Sequence, residues 1–325
     1  MIETPKKWSI LIVNYFSSVY IKWQLKILYE FNNVDNFELV IVDNSVDESE
    51  KKFLQNLTEN YQKEYKNIKL FFYQPHNKTA SGQHGEAIEF AKQYIQGQYL
   101  LIHDPDFFWL KKNYLKTLEN LLENHVAVGA PYRQNVAYGN PKFPSAFGCA
   151  YRFADVKNIS FKAYLNEDYE NSWKEFYESK YYKEGYDFYF DVGWQVRKML
   201  STENSDNFIS FDQLNINNKI LNFLKLSESH SFETNTCIYF YNNLAIASHL
   251  FRGTFTGEVK DNKDPKVIIK EKTLLVRDKI GEFMYNEIIK SNKNLEIIAK
   301  KIKKKKEHKV KLKNFINKLK NILKK

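Results

Sequence analysis

Residues 98–109 read QYLLIHDPDFFW. A short apolar run, Tyr99–Ile102, ends at His103-Asp104-Pro105-Asp106, and apolar residues resume at Phe107-Phe108-Trp109. An apolar run of this length, closed by turn residues, is the pattern of a buried strand. Asp104 and Asp106 stand at i and i+2 just past its carboxyl end. From there two carboxylates can converge on one divalent cation. Hard oxygen ligands suit Mg²⁺ or Mn²⁺, which in turn bind a diphosphate. Asp-Pro-Asp is also ordinary turn chemistry, so the residues before it have to decide between the two readings.

Three earlier runs are strand-like: SILIV at 9–13, LVIV at 39–42 and IKLFF at 68–72. Helical spacing fills the gaps, at about residues 18–31, 47–63 and 82–96. Ile21, Leu25, Leu28 and Phe31 share one face of the first helix, and Ala87, Ile88, Ala91 and Ile95 one face of the third. The order is βαβαβαβ, which predicts an α/β fold with a mostly parallel sheet and helices on both faces. Ligands of such sheets bind outside the carboxyl ends of the strands. Asn14, Asp43 and Asp104 all stand at strand ends, so they are expected on one rim. The first glycine is Gly82. A GxGxxG turn after the first strand is therefore excluded, and no GxxxxGK[ST] loop occurs either.

Past Trp109 the pattern is less regular. Val126–Ala130, Ala146–Phe153, Phe208–Phe211, Thr236–Tyr241 and Leu244–His249 read as strands, and Asp191–Leu200 as a helix. Pro131, Gly139, Pro141 and Pro144 mark a loop. Residues 164–190 are rich in aromatics that suit either a core or sugar stacking. After Pro265 the spacing is helical to the end.

Over 325 residues, 43% apolar and 16% aromatic content provides for a core and excludes global disorder. The formal net charge of +10 is uneven. Residues 300–325 hold 13 lysines and one acid, a net of +12, and the preceding residues hold 36 bases and 38 acids, a net of −2. A nucleic-acid groove through that near-neutral body loses its support. In the tail, Val310, Leu312, Phe315, Ile316, Leu319, Ile322 and Leu323 recur among lysines. This spacing predicts a basic amphipathic helix suited to an anionic membrane surface; a helix packed on the body and a frayed tail are the alternatives. Two cysteines, Cys149 and Cys237, stand far apart, without a zinc-like spacing. No apolar run approaches the roughly 18–20 residues of a membrane span, and Trp8–Tyr15 reads as a strand and not as a signal peptide. The expected location is cytoplasmic, peripheral on the inner face of a membrane.

Four segments together resemble the nucleotide-sugar half of a family 2, GT-A type glycosyltransferase: ILIVNYF at 10–16, VIVDNSVDES at 40–49, HNKTASGQHGEAIEFA at 76–91 and QYLLIHDPD at 98–106. The resemblance implies a GT-A-like domain over residues 1–265, with a nucleotide-sugar half at 1–110 and an acceptor half at 111–265. A helical extension would follow at 266–325. It implies an enzyme that moves a sugar from a nucleoside-diphosphate-sugar to a glycan or lipid-linked acceptor, with Mg²⁺ or Mn²⁺ as cofactor. Asp43 would contact the nucleobase on the rim shared with Asn14. Asn77 and His84 would lie near the nucleotide and sugar, although His84 stands where the family often has Asn. Asp104 would lie toward the ribose and sugar, and Asp106 would ligate the metal with it.

The segment YDFYFDVGWQVR at 186–197 resembles the family's catalytic helix start, with Asp191 as general base and Arg197 six residues on. Phe190 replaces the usual preceding acid. Asp187 is the second candidate, and Asp191 is also placed to cap the helix. In ASHLFRGT at 247–254, His249 resembles the late histidine that completes the metal shell or touches the diphosphate. Arg252 is placed to pair with phosphate. Two other readings compete. One is a sugar nucleotidyltransferase, which usually carries a glycine-rich loop near the N-terminus. The other is an adaptor that binds membrane or nucleic acid through the basic tail.

Overall fold

The computed structural model describes residues 6–77, 80–131, 140, 142–163, 174, 178, 183, 191–201, 207–217, 235–242, 244–251, 277–279, 281–282 and 285–286. The first half runs β1 (Trp8–Asn14), α1 (Ser18–Phe31), β2 (Phe37–Asp43), α2 (Glu48–Gln62), β3 (Ile68–Phe72), α3 (Ala80–Lys92) and β4 (Tyr99–His103). It continues through β5 (Phe107–Trp109), α4 (Tyr114–Leu122), β6 (Ala127–Pro131), β7 (Pro144–Arg152) and α5 (Phe153–Val156). The later elements are α6 (Trp194–Leu200), β8 (Phe208–Ser210), β9 (Asp212–Asn217), β10 (Asn235–Tyr241) and β11 (Leu244–Phe251).

Seven strands form the main sheet in the order β3-β2-β1-β4-β7-β6-β8. Strands β3, β2, β1 and β4 pair in parallel, and β6 pairs in parallel with β8. Strand β7 is antiparallel to β4 and β6, so it alone runs against the other described strands of this sheet. The mostly parallel α/β architecture read from the sequence is what the chain adopts. Strands from both sides of residue 110 share the sheet.

Its apolar runs are continuous because both faces are covered. Ile10, Ile12, Leu39 and Ile41 pack toward Ile21, Leu25 and Leu28 of α1, Leu54 of α2 and Tyr239 and Ile246 of the second sheet. The alternate residues Leu11, Val13, Val40 and Val42 pack with Ala87, Ile88 and Ala91 of α3 and Val196 of α6. This is the period of two that a strand imposes.

The second sheet, β5-β11-β10-β9, is antiparallel. Strand β5 is three residues long, too short to register as a period, and it pairs His249 with Phe107. Helix α3 starts at Ala80 and stops at Lys92, earlier at both ends than its apolar spacing suggested. Beyond it the amides of Gln96 and Gly97 donate to Ser9 Oγ, and Gln96 also to Glu38, which ends the helical ladder. Helix α6 begins at Trp194, after Gly193 at φ 75°, and not at Asp191. The turn into it needs a left-handed residue, which glycine supplies without steric cost.

The described residues after Phe251 lie against α1. Asp278 Oδ1 accepts from Trp23 Nε1 at 2.7 Å and pairs with Lys22 at 2.6 Å. The Tyr285 ring packs on Trp23 and Phe31. Arg252, Asp187, the aromatic stretch 164–190 except for residues 174, 178 and 183, and the basic tail 300–325 lie outside the described residues.

Candidate active site

The acidic turn closes as Phe107 N donates to Asp104 O at 3.0 Å, and Asp104 N donates to Phe147 O at 3.0 Å. Gln24, buried on α1, reaches the same turn. Its Nε2 contacts Asp104 O at 3.0 Å, Pro105 O at 2.6 Å and Phe107 O at 2.9 Å. The two carboxylates are thus held from behind by a side chain on another element.

Strand pairing of β5 with β11 brings in His249, 143 residues away from Asp106 in sequence. Its Nε2 is 3.1 Å from Asp106 Oδ1 and 3.7 Å from Asp104 Oδ2. The Phe147 ring stacks on the imidazole at 4.7 Å, and Phe107 flanks it at 5.7 Å. Gly148 makes room for that packing, since a Cβ there would stand 2.2 Å from the Phe107 ring.

One ligand atom from each of Asp104, Asp106 and His249 falls within 4.8 Å of the others. Burial, then the negative charges of Asp106 and Asp191, push the Asp104 carboxyl well above the usual carboxylate range. Asp104 Oδ1 is buried and accepts no hydrogen bond from the described residues. Buried polar atoms are ordinarily paired, and buried carboxylates crowd together at a cost unless a cation compensates them. Two carboxylates and an imidazole with an orphaned oxygen fit Mg²⁺ or Mn²⁺.

His84 on α3 adjoins this cluster, with Nε2 3.9 Å from Asp104 Oδ1. Burial lowers its pKa to about 4 against the pull of Asp191, so the ring is neutral near pH 7. Its Nε2 is buried without a hydrogen-bond partner.

A second group lies at the ends of β1, which neighbours β4, and of β2, which neighbours β1. Asp43 Oδ1 accepts from Asn14 Nδ2 at 2.9 Å, Ser45 Oγ at 2.6 Å and Ser45 N at 3.1 Å. Ser45 Oγ in turn accepts from Phe16 N at 2.9 Å. Asp43 Oδ2 is buried and accepts no bond from the described residues. Burial raises this carboxyl above its ordinary range despite the bonds from Ser45 and Asn14. Asn14, Asp43 and Asp104 therefore occupy one rim, as the strand-end argument requires.

A family model described as glycosyl transferase family 2 matches residues 9–200. The chain belongs to this family. The match runs from the second residue of β1 to the end of α6, so it includes the acidic turn, the Asp43 group and Asp191.

No curated protein sequence matches the chain. Solved glycosyltransferases match parts of the chain at low identity. A mannosyltransferase from Pyrobaculum calidifontis, determined with GDP-Man and Mn²⁺, is 17% identical at a TM-score of 0.39. The match covers 57% of this chain and 56% of that one, so the chain spans about half of that relative's length. S. aureus TarS 1-349 with UDP-GlcNAc is 22% identical at 0.37, covering 48% of each chain. The galactosyltransferase LgtC, determined with donor and acceptor sugar analogs, is 12% identical at 0.44, covering 83% of this chain and 95% of that one.

In this family member, Asp191 stands just before α6. Its Oδ1 accepts from Val192 N at 2.8 Å, and its carbonyl accepts from Trp194 N at 3.1 Å. Helix α6 takes its N-cap from Gly193 and has no side-chain cap bond, so capping does not account for the Asp191 carboxylate. Its negative charge acts on both Asp104 and His84. Asn77 lies against the first turns of α3. Its N–H donates to Glu86 Oε2 at 3.3 Å, its carbonyl accepts from Gln83, and its side chain fills the space over Gly82.

Two site features escaped the sequence reading. Gln24 was hidden on an apolar helix face, where a polar residue at a core position was the available signal. Strand β5, which seats His249, was too short to detect.

Proposed function

We propose that the protein is a metal-dependent, inverting glycosyltransferase. It moves a sugar from a nucleoside-diphosphate-sugar to a hydroxyl on a glycan or lipid-linked acceptor in cell-surface polysaccharide assembly. The observation that carries this reading is the convergence of Asp104, Asp106 and His249 on one point, beside Asp191 and on the rim that holds Asp43.

In this reading Asp104, Asp106 and His249 hold Mg²⁺ or Mn²⁺. The cation, when bound, supplies charge neutralisation for the departing diphosphate. Asp43, fixed through Oδ1 by Asn14 and Ser45, offers Oδ2 to a nucleobase N–H. The neutral His84 faces the sugar side of the same cluster, and Arg252 is a candidate for the phosphates. Asp191 takes the proton of the acceptor hydroxyl as its oxygen attacks the anomeric carbon from the face opposite the leaving group. The tail at 300–325 would dock the enzyme on an anionic membrane. Among the described residues no helix is long and apolar enough to cross one.

Donor hydrolysis and transfer by Asp106→Ala and Asp191→Ala test the assignment. Loss of both activities in the first variant, and of transfer in the second, is the expected result. Near wild-type turnover in either removes that residue from the mechanism. For the tail, liposome flotation of a chain ending at Ala299 is expected to lose membrane binding; unchanged flotation rejects the anchor.

A further inference from the structure

Arg277 is 1% exposed, which is rare for a guanidinium. Its Nη1 donates to the carbonyl of Phe16, and its Cζ lies 5.6 Å from the Tyr20 ring centroid. Its Nε and Nη2 are buried and have no hydrogen-bond partner among the described residues. No ion pair to it occurs among the described residues. A charge removed from water without a counter-ion is costly, and arginine cannot relieve the cost by losing its proton. A buried fork with free N–H groups is the complement of a phosphate or carboxylate.

The position narrows the choice. Phe16 follows β1, and its N–H is bonded to Ser45 Oγ, which is bonded to Asp43. On the other side, Tyr20 packs edge-on against Phe108, two residues from Asp106. Arg277 thus connects through Phe16 to the Asp43 group and through Tyr20 and Phe108 to the acidic turn, the two ends of one interval. A nucleoside diphosphate that places its base at Asp43 and its phosphates at Asp104 and Asp106 has to cross that interval.

The residue is anchored by the C-terminal segment packed on α1, through Asp278 with Lys22 and Trp23 and through Tyr285 with Glu30. Gly281 packs so closely on Trp23 that an added Cβ would stand 2.1 Å from the indole.

We propose that Arg277 is a binding residue for the donor's diphosphate, delivered to the nucleotide half by the C-terminal segment. The proposal rests on the glycosyltransferase reading above. It makes the segment after β11 part of the donor site, so that nucleotide binding and the docking of this segment on α1 favour one another.

The test compares nucleotides with and without phosphates. UDP and GDP, then uridine and guanosine, are titrated calorimetrically with Mn²⁺ into the full chain and into Arg277→Gln and Arg277→Met. Loss of charge-assisted bonds to phosphate is expected to weaken the diphosphate that binds by about tenfold or more. Binding of its nucleoside is expected to change by less than about twofold, since that ligand has no phosphate to lose. Unfolding temperatures without ligand control for folding. Met and Gln remove an unpaired buried charge, so neither is expected to lower that temperature. Equal diphosphate affinity in variant and parent, or equal losses for nucleotide and nucleoside, overturns the proposal. A parent chain that binds neither UDP nor GDP overturns the donor reading together with it.

Discussion

Gln24 gives the sharpest test of how the acidic turn is built. Its amide has two N–H protons but three carbonyl oxygens within 3.0 Å, so the protons are shared. Asp104 O also accepts from Phe107 N, whereas Pro105 O has no other described donor. Gln24→Leu keeps the volume and removes the donors. Orphaning one buried carbonyl costs about 1–3 kcal/mol, and losing one further shared bond about 0.5–1.5 kcal/mol. The expected destabilisation is therefore about 1.5–4.5 kcal/mol, read as a fall in the urea midpoint at constant slope. Gln24→Glu keeps size and polarity but presents a carboxylate to three carbonyl oxygens and two aspartates, so it should be the worse of the two at pH 7. Both variants loosen the groups behind the metal ligands and are expected to weaken Mn²⁺ binding about tenfold or more. A Gln24→Leu protein within about 0.5 kcal/mol of the parent would refute the reasoning, as would unchanged Mn²⁺ affinity in both variants.

Asp43→Asn keeps the Oδ1 bonds and removes a charge that burial disfavours, so the variant is expected to be as stable as the parent or more so, with donor binding about tenfold weaker. The sign follows from a folded pKa raised above the unfolded value of 3.8. Asp43 contributes stability that is fully present below about pH 3.8, and this is lost as pH rises through the folded value. The stability difference between variant and parent should therefore grow with pH, and a difference that shrinks would contradict the burial argument. Gly148→Ala drives a methyl into the Phe107 ring and is expected to cost about 1–3 kcal/mol, measured by denaturant midpoint; a neutral effect would mean that the ring is not seated on β7. Gly281→Ala forces the C-terminal segment off Trp23, so hydrogen exchange at 277–286 should speed up; unchanged protection would argue against the packing on α1.

The first four strands and their rim were legible because each strand is buried on both faces and therefore reads as an unbroken apolar run. The carboxylates at 43, 104 and 106 followed from strand ends alone. His249 did not, since its place beside Asp106 depends on a three-residue strand, and only the family resemblance pointed to it. Gln24 acts through backbone carbonyls, which leave no trace in side-chain spacing. Arg277 lies before the lysine-rich tail, in a stretch where a single arginine among other charged residues carries no signal. What sets it apart is burial, which tertiary packing creates. Asp191 was picked out by the family resemblance, through its spacing to Arg197, and Gly193, not Asp191, holds the N-cap of α6.

Mn²⁺ binding, followed by electron paramagnetic resonance in the parent, Asp106→Ala and His249→Ala, tests the central claim most directly. One tightly held ion per chain in the parent, lost from both variants and accompanied by loss of donor turnover, is the predicted result. An ion retained with full affinity in both variants would contradict the claim that Asp104, Asp106 and His249 form the metal centre.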